Sequence, residues 1–211
     1  MLNILYSYID KEKHTFFLDK ELLGMPLDFQ QKVLKYKKWE NQQAAILGRT
    51  LLNTLIKTSG FNLSIDNLVY GLNQKPYFKS SKIYFNISHT EDIVICAITD
   101  INEIGIDIEK TREIDVYNFE NLLTENEWKS VNNSPKPSDS FISLWTKKEA
   151  IIKASGYGLS LNLDSFEIRN NKTEIKNESY SVEEIFINEE YKCHVAIKGD
   201  LPKILEVKLF I

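Results

Sequence analysis

The hydrophobic period of this sequence changes near residue 60, and this change constrains the fold more than any other feature. Residues 28–58 show the spacing of an amphipathic helix, with a break near Trp39. One stripe of that helix is formed by Ala44, Leu47, Leu51, Leu55 and Thr58. Gly60 follows the stripe and is placed to end the helix. Short β-rich runs then begin, so after a short first strand the chain forms a long helix followed by strands.

A second helix-then-strand order follows in the rest of the chain. Helices are predicted over residues 124–131 and 138–154, with Ser138 capping the second helix and Gly156 ending it. Strands are predicted at 2–6, 68–70, 83–87, 93–99, 104–109, 166–168, 184–187, 191–197 and 204–209. This order predicts an α+β fold with two similar halves, residues 1–103 and 104–211.

The composition fits an ordinary folded protein and argues against several classes. The 211 residues include 43% hydrophobic and 27% charged residues. A net charge of −4 argues against a nucleic-acid binder. We see no signal peptide and no apolar run long enough for a bilayer, so we expect a cytoplasmic protein that does not bind membranes. We also expect a monomer. Cys96 and Cys193 lie in apolar runs and are expected to be buried free thiols.

Two carboxylates share one face of the predicted strand 104–109. Because strand side chains alternate, Asp107 and Glu109 point to the same side, and Ile106 and Ile108 point to the other. Neighbouring carboxylates repel and raise each other's pKa, and a hard divalent cation with oxygen ligands relieves that repulsion. A solvated strand face explains the same spacing, and spacing alone favours that simpler interpretation.

The predicted helix 138–154 carries a second charged pair. Glu149 and Lys153 are four residues apart and therefore share a face. Taken alone, they are an ordinary surface pair worth a few tenths of a kcal/mol, about 0.3–0.5. Glu149 would have a functional role if it lay beside Asp107 and Glu109 as a third carboxylate. Lys153 would then lie one helical turn from the metal and could contact a phosphate.

A third polar segment, Ser88-His89-Thr90, leaves the strand predicted at 83–87. Hydroxyl and backbone donors at a strand end can hold phosphate, and a turn whose polar groups cap one another explains the same residues. A nucleophile pair of Ser88 and His89, oriented by Asp107, is disfavoured. Adjacent strand residues face opposite ways, and no Gly-x-Ser-x-Gly elbow is present.

Four blocks of the sequence occur in a fixed order. They are Lys75-Pro76, residues 85–89 (Phe-Asn-Ile-Ser-His), residues 105–110 (Gly-Ile-Asp-Ile-Glu-Lys) and residues 145–153 (Trp-Thr-Lys-Lys-Glu-Ala-Ile-Ile-Lys). In order and spacing these blocks resemble the 4'-phosphopantetheinyl transferase family, in its longer, surfactin-synthetase-activating (Sfp-like) type. The similarity covers roughly residues 40–170.

This resemblance implies a fold and a reaction. The family fold is a pseudo-twofold pair of α+β halves with the active site between them. The implied enzyme is magnesium-dependent. It transfers the 4'-phosphopantetheine arm of coenzyme A to a serine of an apo acyl or peptidyl carrier protein and releases adenosine 3',5'-bisphosphate.

The same resemblance implies roles for individual residues. The residues that bind magnesium are Asp107, Glu109 and Glu149. The residues that hold coenzyme A are Lys32, Lys75, Ser88, His89 and Lys153. Catalysis is assigned to Glu149, as proton acceptor for the carrier serine, together with Lys153 and Asp107.

At one point the sequence departs from its relatives. They usually carry Arg, His or Thr on the helix before Gly48, facing the 3'-phosphate of the nucleotide, where this chain has Ala44 and Ala45. Lys32 matches a basic position of the family. Other basic residues able to replace the missing charge are Lys37, Lys38 and Arg49.

Glu127 is a second open point, since it stands at an acidic position of the family. Thr124-Glu125-Asn126-Glu127 also has the pattern of a helix capping box, which would give Glu127 a purely structural role.

Two other function classes compete with the transferase. One is a catalytically silent module that binds coenzyme A or a carrier protein. Its weakness is that Asp107, Glu109, Glu149 and Lys153 are all present. The other is a magnesium-dependent nucleotide hydrolase, for which no P-loop or related motif is found.

Overall fold

The computed structural model describes residues 1–71, 75–79, 81–202 and 205–210. The chain forms two compact units, Met1–Ile101 with Ile204–Ile211 (unit 1) and Asn102–Lys203 (unit 2). Helices and strands are mixed in both, so the predicted α+β class is confirmed. No helix within the described ranges is long and apolar enough to cross a bilayer.

Unit 1 combines three helices with six strands in its described residues. Its helices are α1 (His14–Phe16), α2 (Leu27–Leu34) and α3 (Trp39–Thr58). Its strands are β1 (Leu2–Tyr8), β2 (Leu68–Tyr70), β3 (Pro76–Phe78), β4 (Tyr84–Thr90), β5 (Ile93–Thr99) and β10 (Leu205–Leu209). Short helical turns lie at Lys11–Lys13, Phe17–Glu21, Leu22–Gly24 and Ile65–Asn67. The break predicted near Trp39 is confirmed, because α3 begins at that residue.

The main sheet of unit 1 has the strand order β10-β1-β5-β4, and α3 packs on it. The predicted stripe of α3 is buried at Ala44, Leu47, Leu51 and Leu55, and Thr58 is exposed in the last turn. β10 runs parallel to β1, pairing Ile4 with Val207, although the two strands lie at opposite ends of the sequence. The last strand therefore belongs to unit 1, whereas the sequence assigned it to the second half.

Gln43 is an exception in the apolar interior of unit 1. It lies on α3 with no exposed surface, and neither its amide oxygen nor its amide nitrogen has a hydrogen-bond partner among the described residues. A buried polar group without a partner costs about 1–3 kcal/mol of folding free energy.

We therefore expect Gln43→Met to raise the free energy of unfolding by about 1–3 kcal/mol, because methionine has a similar shape and no such groups. Urea denaturation measures the change. Gln42→Met is the matched control, since the Gln42 amide donates to the Tyr36 carbonyl at 3.0 Å, and that variant should lose stability. Equal losses in both variants would contradict the prediction.

Unit 2 repeats the connectivity of unit 1. It contains β6 (Ile104–Lys110), α4 (Glu125–Asn132), α5 (Pro137–Ser155), β7 (Lys172–Ile175), β8 (Glu178–Glu184) and β9 (Tyr191–Lys198). Short helical turns lie at Val116–Leu122, Gly158–Ser160 and Leu163–Ser165. The sheet order is β6-β9-β8-β7, with α5 packed on it. In each unit a first strand is followed by a long helix and then by further strands. In unit 1 β5 lies between β1 and β4, and in unit 2 β9 lies between β6 and β8. The two halves are thus alike internally, and their pseudo-twofold relation stays a prediction.

Several predicted boundaries in unit 2 are wrong. Residues 166–168 form no strand, and the strand placed at 184–187 is β8, which ends at Glu184. The sequence pattern did not indicate two turns, one before and one after β7, and each is formed by a pair of residues with positive φ. They are Asn170 and Asn171 (φ 50° and 59°), and Lys176 and Asn177 (φ 51° and 66°). Such pairs favour tight two-residue hairpins, which produce β7 and β8.

The ends of α5 show one error and one confirmation. Ser138 does not cap the helix, which begins at Pro137. The Ser138 hydroxyl instead accepts from the Ile114 backbone N–H at 3.2 Å. Gly156 ends the helix as predicted, with φ of 72° in the left-handed region that glycine adopts easily. Both cysteines are buried free thiols, also as predicted.

Candidate active site

The polar face of β6 lies under α5. Ile106 and Ile108 are fully buried on the opposite face of the strand, as the alternation predicts. Gly105, Asp107 and Glu109 share the face toward the helix. A Cβ added at Gly105 would overlap the backbone of Ala150 and Ala154 and lie 2.8 Å from the Cβ of Lys153. Glycine is therefore required for the close approach of α5 to β6, which places Lys153 and Glu149 against the strand.

Gly105→Ala should consequently lower the free energy of unfolding by about 1–3 kcal/mol and reduce activity, because the helix must move away from the strand. Thermal unfolding and turnover measure the two effects. Gly24→Ala is the control, since a Cβ at Gly24 meets nothing within 4 Å. A Gly105→Ala protein as stable as Gly24→Ala would mean that the helix does not depend on this contact.

Asp107 and Lys153 form a close ion pair between β6 and α5. The Lys153 Nζ donates to Asp107 Oδ1 at 2.6 Å and to the Ile106 carbonyl at 3.2 Å. Asp107 is buried, and Lys153 is partly exposed. The predicted phosphate-binding lysine thus lies at the predicted metal-binding carboxylate.

Glu149 completes a group of three carboxylates. Burial raises the pKa of Glu149 above its ordinary value, and repulsion from Asp107 adds to the rise. Lys153 opposes this rise, and Glu109 adds to it further. The charges of the three carboxylates therefore act on one another.

The assignment of these carboxylates to a magnesium ion stays a prediction. In the part of the chain that the structure describes, no three Asp, Glu, His or Cys side chains are arranged closely enough to hold a metal ion. The donor chemistry nevertheless fits magnesium, because Asp107, Glu109 and Glu149 offer only oxygen ligands and their mutual repulsion favours a hard divalent cation.

The residue before Glu149 is a buried lysine that the sequence analysis missed. Lys148 is fully buried, and its Nζ donates to the carbonyls of Leu163 and Phe166, both at 2.7 Å. It also pairs with Glu127 Oε2 at 2.8 Å and lies 4.3 Å from the Phe166 ring centroid. Burial lowers the pKa of Lys148, and the Glu127 carboxylate partly offsets that effect.

Glu127 belongs to this structural network. The predicted capping box is confirmed. Thr124 accepts from the Glu127 backbone N–H, and the Glu127 carboxylate accepts from the Thr124 N–H at 3.1 Å. The other carboxylate oxygen accepts from the Ile168 N–H at 3.2 Å. Glu127 and Lys148 together join the start of α4, the middle of α5 and the loop at residues 163–168.

A buried histidine lies opposite Asp107 on β9. His194 pairs with Asp107 across the antiparallel register, and its Nδ1 is 2.7 Å from the Thr146 hydroxyl on α5. Burial, reinforced by Lys147 and Lys192, lowers the pKa of His194 to about 3, so the ring is neutral at physiological pH. After the Lys153–Asp107 ion pair, this is a second polar contact between α5 and the sheet near the acidic group.

The residues predicted to hold coenzyme A, apart from Lys153, lie in unit 1. Lys32 is on α2 and Lys75 directly precedes β3. Ser88 and His89 are neighbours on the edge strand β4, where Ser88 is buried and His89 is exposed. Their opposite orientations disfavour the nucleophile pair, as expected.

Comparisons with known proteins agree with these features. A family model described as the 4'-phosphopantetheinyl transferase superfamily matches residues 103–201. The 4'-phosphopantetheinyl transferase gsp of Aneurinibacillus migulanus is 32% identical over 206 residues, covering 92% of this chain and 84% of the relative. The transferase Sfp of Bacillus subtilis strain 168 is 33% identical over 144 residues, covering 66% and 63%. The chain belongs to the 4'-phosphopantetheinyl transferase family.

Proposed function

We propose that this enzyme transfers the 4'-phosphopantetheine arm of coenzyme A to a serine of an apo acyl or peptidyl carrier protein, with magnesium as cofactor. Adenosine 3',5'-bisphosphate is released. The observation that carries the proposal is the contact between β6 and α5, which joins Asp107, Lys153 and Glu149 in one charged group. Phosphoryl transfer depends mainly on charge neutralisation and positioning, and this group is suited to both.

Magnesium would be held by Asp107, Glu109 and Glu149. When bound, it supplies positive charge for the pyrophosphate oxygens. Lys153 contributes the same kind of stabilisation from the protein. Its ammonium group lies at the carboxylates and can donate to the phosphate that leaves with the nucleotide.

Glu149 is the proposed acceptor of the serine proton. Its carboxylate belongs to the same charged group as Asp107 and Lys153, and a carboxylate can accept a proton directly or through a water molecule. We also infer that the protein acts as a cytoplasmic monomer. Two buried free thiols support a reducing compartment.

A single incubation tests the proposal. The protein is mixed with coenzyme A, magnesium and an apo carrier protein, and the mass of the carrier is measured with and without a chelator. A gain of one phosphopantetheine that the chelator prevents supports the magnesium-dependent transferase. Free adenosine bisphosphate with an unlabelled carrier would indicate the hydrolase. If neither product forms, the protein is a binding module.

A further inference from the structure

His194 and Thr146 form a buried polar contact between β9 and α5 to which the proposed reaction assigns no role. Neither side chain has exposed surface, and His194 Nδ1 lies 2.7 Å from the Thr146 hydroxyl. His194 pairs with Asp107 in the sheet, and paired residues of antiparallel strands point to the same face. The contact therefore lies on the face of the sheet that carries the acidic group.

The hydrogen bonds of Thr146 indicate which atom donates. Its hydroxyl oxygen is 3.0 Å from the carbonyl oxygens of both Ile142 and Ser143, so its single proton is directed back into the helix. The hydroxyl then accepts from His194, whose Nδ1 carries the ring proton. In the opposite arrangement the proton would be on Nε2, which is buried and has no hydrogen-bond partner in the part of the chain that the structure describes. Orphaned buried N–H groups are rarer than under-satisfied acceptors, which favours a proton on Nδ1.

The contact complements the ion pair between Lys153 and Asp107, which lies further along the same helix. Glu149 lies between the two contacts, because it follows Thr146 by three residues and precedes Lys153 by four. All three residues therefore share one face of α5. A single ion pair allows the helix to rotate slightly about its axis, and a second, directional hydrogen bond opposes that rotation. The pair of contacts thus fixes where the Glu149 side chain leaves the helix.

We propose that His194 is a positioning residue for the transfer reaction. By donating to Thr146, it holds α5 in the rotation that places the Glu149 carboxylate beside the two carboxylates of β6. This inference rests on the proposed function, in which Glu149 accepts the serine proton and helps to hold magnesium. A misplacement of about 1 Å can reduce turnover about a hundredfold, so a small rotation of α5 is enough for a measurable loss.

The central test removes both partners of the hydrogen bond at once. Replacing both by apolar groups of similar shape can leave stability nearly unchanged. His194→Leu/Thr146→Val should therefore unfold in urea close to the wild type, while kcat for carrier labelling falls about tenfold or more. The KM for coenzyme A should change little, because the substitutions remove no proposed coenzyme A contact. A folded double variant with the wild-type kcat would overturn the proposal.

Conservative substitutions and a stability control accompany this test. Thr146→Ser keeps the hydroxyl and should keep most of kcat, whereas Thr146→Val should lose it. His194→Asn can place an amide N–H near the position of Nδ1 and should retain more activity than His194→Leu. Val195 is buried on the opposite face of β9, so Val195→Ala should lower stability without lowering kcat. Equal losses of kcat in Val195→Ala and Thr146→Val would mean that destabilisation alone explains the loss, and the proposal would be dropped.

The hydrogen bond itself is tested without an activity measurement. Proton–nitrogen correlation NMR distinguishes the two neutral forms of a histidine ring, and the His194 signals are those that disappear in His194→Leu. The wild type should carry the proton on Nδ1. A proton on Nε2 would contradict the donation to Thr146 and overturn the proposal. Failure of the proposed function gives a different result, since the wild type itself would not label a carrier, and the NMR measurement would still decide the hydrogen bond.

Discussion

Asp107→Asn should reduce carrier labelling about a hundredfold or more without unfolding the protein. Even residues that only support metal ligands typically contribute about 10–100-fold, and Asp107 is proposed as a ligand itself. The substitution keeps the shape of the side chain but removes its charge, which weakens both the proposed magnesium site and the ion pair with Lys153. Initial rates of carrier mass gain measure the loss.

A matched control is available in the same unit. Asp200 also pairs with a lysine, Lys172, at 2.7 Å, but both side chains are exposed. Asp200→Asn should therefore keep full activity and change stability by less than about 0.5 kcal/mol. Adding magnesium and coenzyme A together should raise the melting temperature of the wild type and of Asp200→Asn, but not that of Asp107→Asn. A fully active Asp107→Asn protein would remove the metal-site hypothesis.

The second large effect concerns the buried ion pair. Lys148→Met should lower the free energy of unfolding by about 3–5 kcal/mol, because the Glu127 carboxylate then stays buried without its cation. Urea denaturation of the purified protein measures the change.

The neighbouring lysine provides the control. Lys147 donates to the Asn171 side chain at the surface, and Lys147→Met should cost less than about 0.5 kcal/mol. The double variant Lys148→Met/Glu127→Gln should be more stable than Lys148→Met alone, since it leaves no buried charge. If Lys148→Met is no more harmful than Lys147→Met, the pair does not support the fold in solution.

The polar face of β6 was predictable because the information is local. Strand alternation places Asp107 and Glu109 together, and helical spacing places Glu149 and Lys153 together. The capping box at Glu127 is equally local, since its two partners are three residues apart.

The burial of Lys148 was not predictable in the same way. Helical spacing places Lys148 on the face of buried Phe141 and Ile152, but it does not show which groups would satisfy a buried ammonium group there. Lys148 is satisfied by carbonyls 15 and 18 residues downstream, at Leu163 and Phe166. The hydrogen bond from Arg49 to the Tyr70 hydroxyl likewise spans 21 residues. Such contacts depend on how elements that are distant in sequence pack against one another. The hydrophobic period of a single helix or strand does not predict that packing.

The parallel pairing of β1 with β10 has a consequence for the order of folding. Unit 2 is one continuous segment, whereas the main sheet of unit 1 needs strands from both sides of it. The chain emerges from the ribosome with its N-terminus first, so the strands of unit 2 emerge before β10 does. Until then β1 offers an unpaired edge, which is a site for mispairing with other chains. Closing so long a loop adds entropy cost and slows this last step, so a molecule still being synthesised is more exposed to aggregation than the finished one.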